Sequence, residues 1–261
     1  MENIPGLKGI IMDYGGTIDS RGDHWSEIIF DAYRQADVDI DKARFRDAFA
    51  VAERRLALSR QIEPNDNFFI TLCKKIAIQL YWLATQAELT PGQRAYFDTL
   101  LPSDGQPLLS LADMIASQCY EHARQCIESA RPALEALAAA YPMVLVSNFY
   151  GNIDTVLCDF RIRHLFAGII ESAVVGVRKP DPRIFSLGLT VLDCRPDQAL
   201  VVGDSLRKDI YPAESLGCHT AWIKGRAWSD EDNAATHPSQ VADLHEIAAA
   251  IATRCPPSCL N

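Results

Sequence analysis

The 261-residue sequence has few basic residues. Its 25 Lys and Arg are outnumbered by 34 Asp and Glu, which gives a net charge of −9 at pH 7. Because an acidic chain repels polyanions, this balance predicts that neither nucleic acid nor an anionic membrane is a partner. An anionic substrate would have to be held by a local positive feature, such as a metal ion or particular basic residues.

Long hydrophobic runs are also missing. The most apolar long stretch, residues 68–84, is interrupted by Lys74, Lys75 and Gln79, so it is a poor membrane span. The residues before the first strand-like run contain no basic segment, apolar core or cleavage site of the kind that signal peptides carry. We therefore expect a cytoplasmic protein, and the sequence carries no signal for an oligomeric state.

Metal-binding cysteine patterns are absent as well. The eight cysteines are scattered, without CxxC or Cys/His ligand spacing. We interpret them as buried free thiols of a reducing compartment. Cys255 and Cys259, near the C-terminus, could form a redox pair or bind a metal ion. The simpler interpretation is that they belong to a frayed tail.

Short apolar runs predict a parallel sheet. They span residues 7–13, 142–148, 167–172, 199–204 and 219–223. Their lack of polar alternation is typical of strands buried on both faces, and helical spacing between the later runs predicts a doubly wound α/β domain. Asp13, Ser147 and Asp204 stand at the carboxyl ends of predicted strands, where such sheets bind ligands, so we expect them to converge on one site.

Residues 21–131 have helical patterns and no clear strand. Apolar residues at helical spacing mark helices near 25–33, 45–56, 69–83 and 108–127. Pro91-Gly92 and the PSDG segment at 102–105 are predicted as breaks. We interpret residues 21–131 as an all-helical cap domain inserted into a core domain formed by residues 1–20 and 132–261.

Four motifs follow one another along the predicted core. They are DYGGT at 13–17, VLVSN at 144–148, GVRKPDP at 176–182 and VVGDS at 201–205, with Asp209 shortly after the last. Each alone is a weak signal, but their order at strand ends, with a helical insertion after the first, is specific. The sequence resembles the haloacid dehalogenase superfamily of hydrolases, in the subfamily with a helical C1-type cap. The resemblance implies a Rossmann-like core.

The resemblance also implies a magnesium-dependent phosphatase acting on a small phosphorylated metabolite. Asp13 would be the nucleophile and form an aspartyl-phosphate. The implied Mg²⁺ ligands are Asp13, the carbonyl of Gly15 and Asp204. Asp209 would lie nearby, as a water-mediated ligand or as a residue that orients the others.

Further residues are implied to bind the phosphoryl group. Ser147, the backbone N–H of Asn148, and Gly16 would contact its oxygens. Lys179 would supply positive charge to both the phosphate and the nucleophile. The neighbouring Arg178 is expected to be solvent-exposed.

One position departs from the family pattern. Phosphatases of the family usually carry a second Asp two residues after the nucleophile, which protonates the leaving group and activates water, and here Gly15 stands there. General acid–base catalysis contributes about 10²–10⁴-fold. Turnover could be slow, the substrate could have a good leaving group, or another residue such as His24 or Asp23 could substitute.

Two alternative functions stay open on the sequence alone, and a third is disfavoured. Phosphonatases have a small residue at the Gly15 position and use a cap lysine as a Schiff base, for which the predicted cap offers Lys42, Lys74 and Lys75. A haloacid dehalogenase would lack the metal site, so the two acidic residues of the fourth motif argue against that chemistry. A regulatory module would bind a phosphorylated ligand without useful turnover.

Overall fold

The computed structural model describes residues 4–86, 88–101 and 106–252. Cys255, Cys259 and the predicted break at 102–105 therefore lie outside the described residues. The chain divides into two compact units, one formed by Met1–Trp25 with Ala123–Asn261 and the other by Ser26–His122. The predicted domain limits at 20/21 and 131/132 stay a prediction.

The first unit is built on a parallel six-stranded sheet. Its strands are β1 (Gly9–Met12), β2 (Met143–Ser147), β3 (Gly168–Glu171), β4 (Ala199–Gly203), β5 (His219–Ile223) and β6 (Gln240–Val241). The order β3-β2-β1-β4-β5-β6 places β1 centrally, with its apolar side chains fully buried. The predicted doubly wound fold is confirmed, and the two-residue β6 was not predicted.

The second unit is helical. Its helices are α1 (Trp25–Gln35), α2 (Lys42–Leu58), α3 (Phe68–Ala84) and α4 (Pro91–Leu100), and α5 (Gln106–Ala140) begins in this unit and continues into the first. Asp41 and Asn67 cap α2 and α3 by accepting hydrogen bonds from the first-turn N–H groups. The aromatic rings of Tyr33 and Phe45, with centroids 5.1 Å apart, pack α1 against α2.

The prediction of a break at Pro91-Gly92 is wrong, because a helix begins there. Thr90 and Gln93 form a reciprocal capping box, and Pro91 occupies the first helical turn. Proline suits this position since the first N–H groups of a helix have no intrahelical partner. Of the described helices, none is both long and apolar enough to cross a membrane.

Helices cover both faces of the sheet in the first unit. They are α6 (Ile153–Asp159), α7 (Ser172–Val175), α8 (Arg183–Leu192), α9 (Tyr211–Ser215), α10 (Asp230–Ala234) and α11 (Leu244–Ala252), with a π-helical turn at Leu206–Ile210. Gly188 lets α8 approach the sheet closely, because a side chain there would press on Ile11 and Val146. Backbone pairing between β1 and β2 places their carboxyl ends side by side.

Candidate active site

Three polar residues lie at the carboxyl edge of the sheet, on neighbouring strands. Asp13 directly follows β1, Ser147 is the last residue of β2, and Asp204 directly follows β4. The backbone N–H of Asp13 donates to the carbonyl of Val202 at 3.0 Å, which fixes its position against β4. Asp13 and Ser147 are both buried.

Three carboxylates form a cluster at this edge. One ligand oxygen from each of Asp13, Asp204 and Asp209 lies within 4.8 Å of the others. The hydroxyl of Thr17 links two of them, donating to Asp13 Oδ2 at 3.1 Å and reaching Asp204 Oδ1 at 3.5 Å. The sequence-predicted acidic residues are therefore brought together, and Thr17 joins them without having been assigned a role.

A buried lysine neutralises part of this cluster. Lys179 Nζ lies 2.6 Å from Asp13 Oδ1 and 2.7 Å from Asp209 Oδ1. Asp209 Oδ2 also accepts a hydrogen bond from the backbone N–H of Ser205 at 3.1 Å. Burial alone would lower the pKa of Lys179, but the two carboxylates outweigh it and raise that pKa, so the ammonium keeps its proton.

The cluster retains an excess of negative charge. With every group ionised, three carboxylates and one ammonium leave two negative charges unbalanced. Burial raises the pKa of Asp13, with Lys179 opposing this, and burial together with the neighbouring carboxylates raises the pKa of Asp204 well above its usual range. The arrangement favours a divalent cation, which would compensate both charges.

The position of Lys179 is fixed by the side chain of Asn148. Its Nδ2 donates to the Lys179 carbonyl at 3.0 Å, and its Oδ1 accepts from the Lys179 backbone N–H at 2.9 Å. Both ends of the carboxamide thus hold the backbone of the lysine loop. The predicted phosphate contact through the backbone N–H of Asn148 stays a prediction.

The loop after Asp13 contains a buried acid that the sequence analysis missed. Asp19 is fully buried and accepts hydrogen bonds from the backbone N–H of Gly16 at 2.8 Å and from Trp25 Nε1 at 2.9 Å. Burial raises the pKa of Asp19 to about 7. The Gly16 N–H is engaged in this bond, so its predicted contact with phosphate stays a prediction.

The two glycines of this loop have different surroundings. Gly16 has a φ of +96°, and a Cβ on it would overlap the Asp204 carboxylate. At Gly15, the nearest atom to such a Cβ is Trp25 Cδ1 at 3.9 Å, an ordinary van der Waals contact. Glycine is therefore sterically required at position 16 but not at position 15.

We expect Gly16→Ala to destabilise the protein and Gly15→Ala to leave its melting temperature nearly unchanged. A non-glycine residue at positive φ costs about 1–3 kcal/mol, to which the displacement of Asp204 adds. Thermal unfolding of both variants measures the difference. Equal melting temperatures for the two would contradict the close approach at position 16.

The two residues predicted as substitutes for the missing acid lie against the loop after β5. The ring of His24 packs on Trp228 with centroids 5.3 Å apart, and its backbone N–H donates to the Arg226 carbonyl. Asp23 forms an ion pair with Arg226 at 2.7 Å. A catalytic role for His24 stays a prediction, as does metal binding by the Gly15 carbonyl. Arg178 is exposed, as expected.

The three lysines of the helical unit are each paired with a carboxylate. Lys42 contacts Glu27 at 2.5 Å, Lys75 contacts Glu53 at 2.6 Å, and Lys74 contacts Asp66. An amine that is engaged in an ion pair is not positioned to attack a carbonyl carbon, so these pairs disfavour the Schiff-base role.

Comparisons with known proteins give one family and several relatives. A family model described as haloacid dehalogenase-like hydrolase matches residues 7–217. The chain is 35% identical over 86 residues to a phosphoserine phosphatase of Thermus thermophilus, covering 33% of this chain and 34% of that protein. It is 37% identical over 67 residues to a glyceraldehyde 3-phosphate phosphatase of Pyrococcus furiosus, covering 26% and 28%.

These matches span about a third of the length of the curated relatives. A solved structure described as a dehalogenase superposes with a TM-score of 0.57 at 18% identity, covering 95% of this chain and 98% of the other. Identity at that level establishes a shared fold only. The substrate therefore has to be inferred from the residues at the site.

Proposed function

The chain belongs to the haloacid dehalogenase-like hydrolase family, and from this premise we propose that it is a magnesium-dependent phosphatase acting on a small phosphorylated metabolite. The observation that carries the proposal is the contact between Asp13 and Lys179, 2.6 Å apart inside the cluster of three carboxylates. The phosphatase names of the two sequence relatives support the reaction class.

Asp13 is proposed as the nucleophile. Lys179 holds its Oδ1 and Thr17 donates to its Oδ2, so the carboxylate is fixed in orientation before a substrate arrives. One of its oxygens attacks phosphorus, the leaving group departs, and water then hydrolyses the aspartyl-phosphate. Ser147 and the N–H of Asn148 are proposed to bind the phosphoryl oxygens from the end of β2.

The donor set fits Mg²⁺. Carboxylate and carbonyl oxygens are the ligands this ion prefers, and the cluster has the two uncompensated negative charges that a divalent cation would balance. We propose Asp13, Asp204 and the Gly15 carbonyl as ligands, with Asp209 holding Lys179. When bound, the ion would neutralise charge on the transferring phosphoryl group.

The alternatives have less support. The phosphonatase reaction lacks a suitable amine among the three paired lysines of the helical unit. A dehalogenase would lack the metal site, so its reaction would not account for the negative charge of the carboxylate cluster. A regulatory module that binds phosphate without turnover shares every site residue with the phosphatase, so measured phosphate release decides between them.

Removal of Mg²⁺ with a chelator is expected to lower phosphate release by about 10²-fold or more, since a catalytic cation contributes several kcal/mol. Mg²⁺ should also raise the melting temperature by binding the folded state. Both effects should disappear in Asp204→Asn. They should persist in Asp197→Asn, a surface carboxylate paired with Arg195. Equal phosphate release with and without chelator would contradict the metal dependence.

A further inference from the structure

We propose that the site acts on phosphoryl donors whose leaving group departs as a stable anion without receiving a proton, such as acyl and aryl phosphates. This inference rests on the proposed phosphatase function and names its substrate class. It comes from what surrounds the nucleophile on the side of Gly15. Three features of the described residues support it.

The first feature is the surface beside Gly15. Within 4 Å of the point where its side chain would begin, the nearest atom is Trp25 Cδ1, a carbon of the indole ring, at 3.9 Å. The indole N–H points elsewhere, to Asp19. Chain neighbours aside, a side chain at position 15 would therefore meet an aromatic edge, which cannot transfer a proton but can pack against an apolar leaving group.

The second feature is the engagement of Lys179. Its ammonium contacts both Asp13 and Asp209, at 2.6 and 2.7 Å, while its backbone is held by Asn148. The ammonium is therefore held between two carboxylates of the cluster, where it stabilises their charge.

The third feature is the engagement of Asp19. One carboxylate oxygen accepts from the Gly16 N–H and the other from Trp25 Nε1. Both oxygens are thus engaged by donors of the protein, one from the loop and one from the first residue of α1.

The reaction balances without a protein acid. An Asp13 oxygen forms a bond to phosphorus, and the bond between phosphorus and the leaving oxygen breaks with its electron pair, releasing a carboxylate or phenolate. Water then attacks phosphorus, and the bond to Asp13 breaks with its pair returned to the carboxylate. Both protons of the water remain on the product, which leaves as dihydrogen phosphate.

Leaving groups differ widely in their need for a proton. Carboxylic acids have a pKa near about 4 and phenols near about 10, whereas an alcohol resembles water at about 15.7. An alkyl phosphate would therefore lose the about 10²–10⁴-fold contribution of a general acid, and an acyl phosphate would lose little of it. We therefore expect kcat/KM to fall steeply from acyl phosphates through aryl phosphates to alkyl phosphates.

The test measures kcat/KM for acetyl phosphate, 4-nitrophenyl phosphate and glycerol phosphate with Mg²⁺ present. We expect acetyl phosphate to exceed glycerol phosphate by about 10²-fold or more. Because all three form the same aspartyl-phosphate, the rapid substrates should share one kcat, set by hydrolysis of that intermediate. The aryl arm shows whether the Trp25 edge adds affinity, through a lower KM for 4-nitrophenyl phosphate than for acetyl phosphate.

Gly15→Asp tests whether the lack of an acid at position 15 causes this substrate preference. The position has room for a side chain. The variant should raise kcat/KM for glycerol phosphate by about 10²-fold while changing that for acetyl phosphate far less. Gly15→Asn is the matched control, of equal size but without an acidic proton, and should give no gain. If Gly15→Asp fails to fold, the substrate series with the natural chain still decides.

The outcomes separate the two proposals. Equal kcat/KM for acetyl and glycerol phosphate would overturn this inference while leaving the phosphatase function intact. A folded Gly15→Asp that turns over acetyl phosphate without any gain on glycerol phosphate would also overturn it. No phosphate release above background from any substrate would refute the phosphatase function itself, and this inference with it.

Discussion

An Asp13→Asn variant is expected to release phosphate more slowly than the natural chain by about 10⁴-fold or more, because the amide cannot act as the nucleophile. The geometry should survive the change. Asparagine has nearly the same shape, and Lys179 keeps Asp209 as a partner at 2.7 Å. The effect on kcat/KM should therefore be chemical and not structural.

The measurement combines steady-state phosphate release with acid quenching of the enzyme during turnover of labelled acetyl phosphate. The natural chain should retain label in a bond that hydroxylamine cleaves, as expected for an acyl phosphate, and Asp13→Asn should retain none. Asp181→Asn is a suitable control, since this carboxylate pairs with Arg183 at the surface. Labelling of the Asp13→Asn protein at the natural level would show that another residue is the nucleophile.

Lys179→Met should lose both activity and stability. The side chain is almost completely buried, and its single positive charge contacts two carboxylates. Removing one partner from a buried ion pair costs about 3–5 kcal/mol, and here the remaining carboxylates repel one another. Loss of a positive group at the transferring phosphate should lower kcat by about 10²–10³-fold in the protein that remains folded.

Arg178→Met is the matched control, because it removes a neighbouring positive charge from an exposed position. Its urea unfolding curve and kcat should match those of the natural chain. If the destabilisation comes from carboxylate repulsion, lowering the pH should restore stability to Lys179→Met, because Asp13 and Asp204, whose pKa values burial already raises, then protonate. A Lys179→Met protein with unchanged kcat would exclude the lysine from catalysis.

The core of the fold could be predicted from the sequence because its strands are short, apolar and buried on both faces. All five strand-like runs correspond to strands of the parallel sheet. β6 escaped prediction because two residues carry no periodicity. The helix α4 was missed because Pro91-Gly92 was interpreted as a helix break. Thr90 and Gln93 form a capping box, which is typical of the start of a helix.

The acidic cluster was predictable for a different reason. Asp13 and Asp204 each follow a predicted parallel strand, and the carboxyl ends of parallel strands lie at the same edge of a sheet. The motif pattern identified Lys179 as their partner. Asp19 and the Asn148 carboxamide were not recognised. Their roles depend on contacts with Trp25 and with the Lys179 backbone, and no spacing in the sequence encodes those contacts.

The carboxamide of Asn148 also makes asparagine and aspartate unequal at this position. It both donates to and accepts from the backbone of one residue, in the manner of a neighbouring β-strand. Hydrolysis of this amide during prolonged heating would replace the donor by a second acceptor facing the Lys179 carbonyl. A change of one functional group, without any change in size, would then remove one of the two hydrogen bonds that hold the Lys179 backbone.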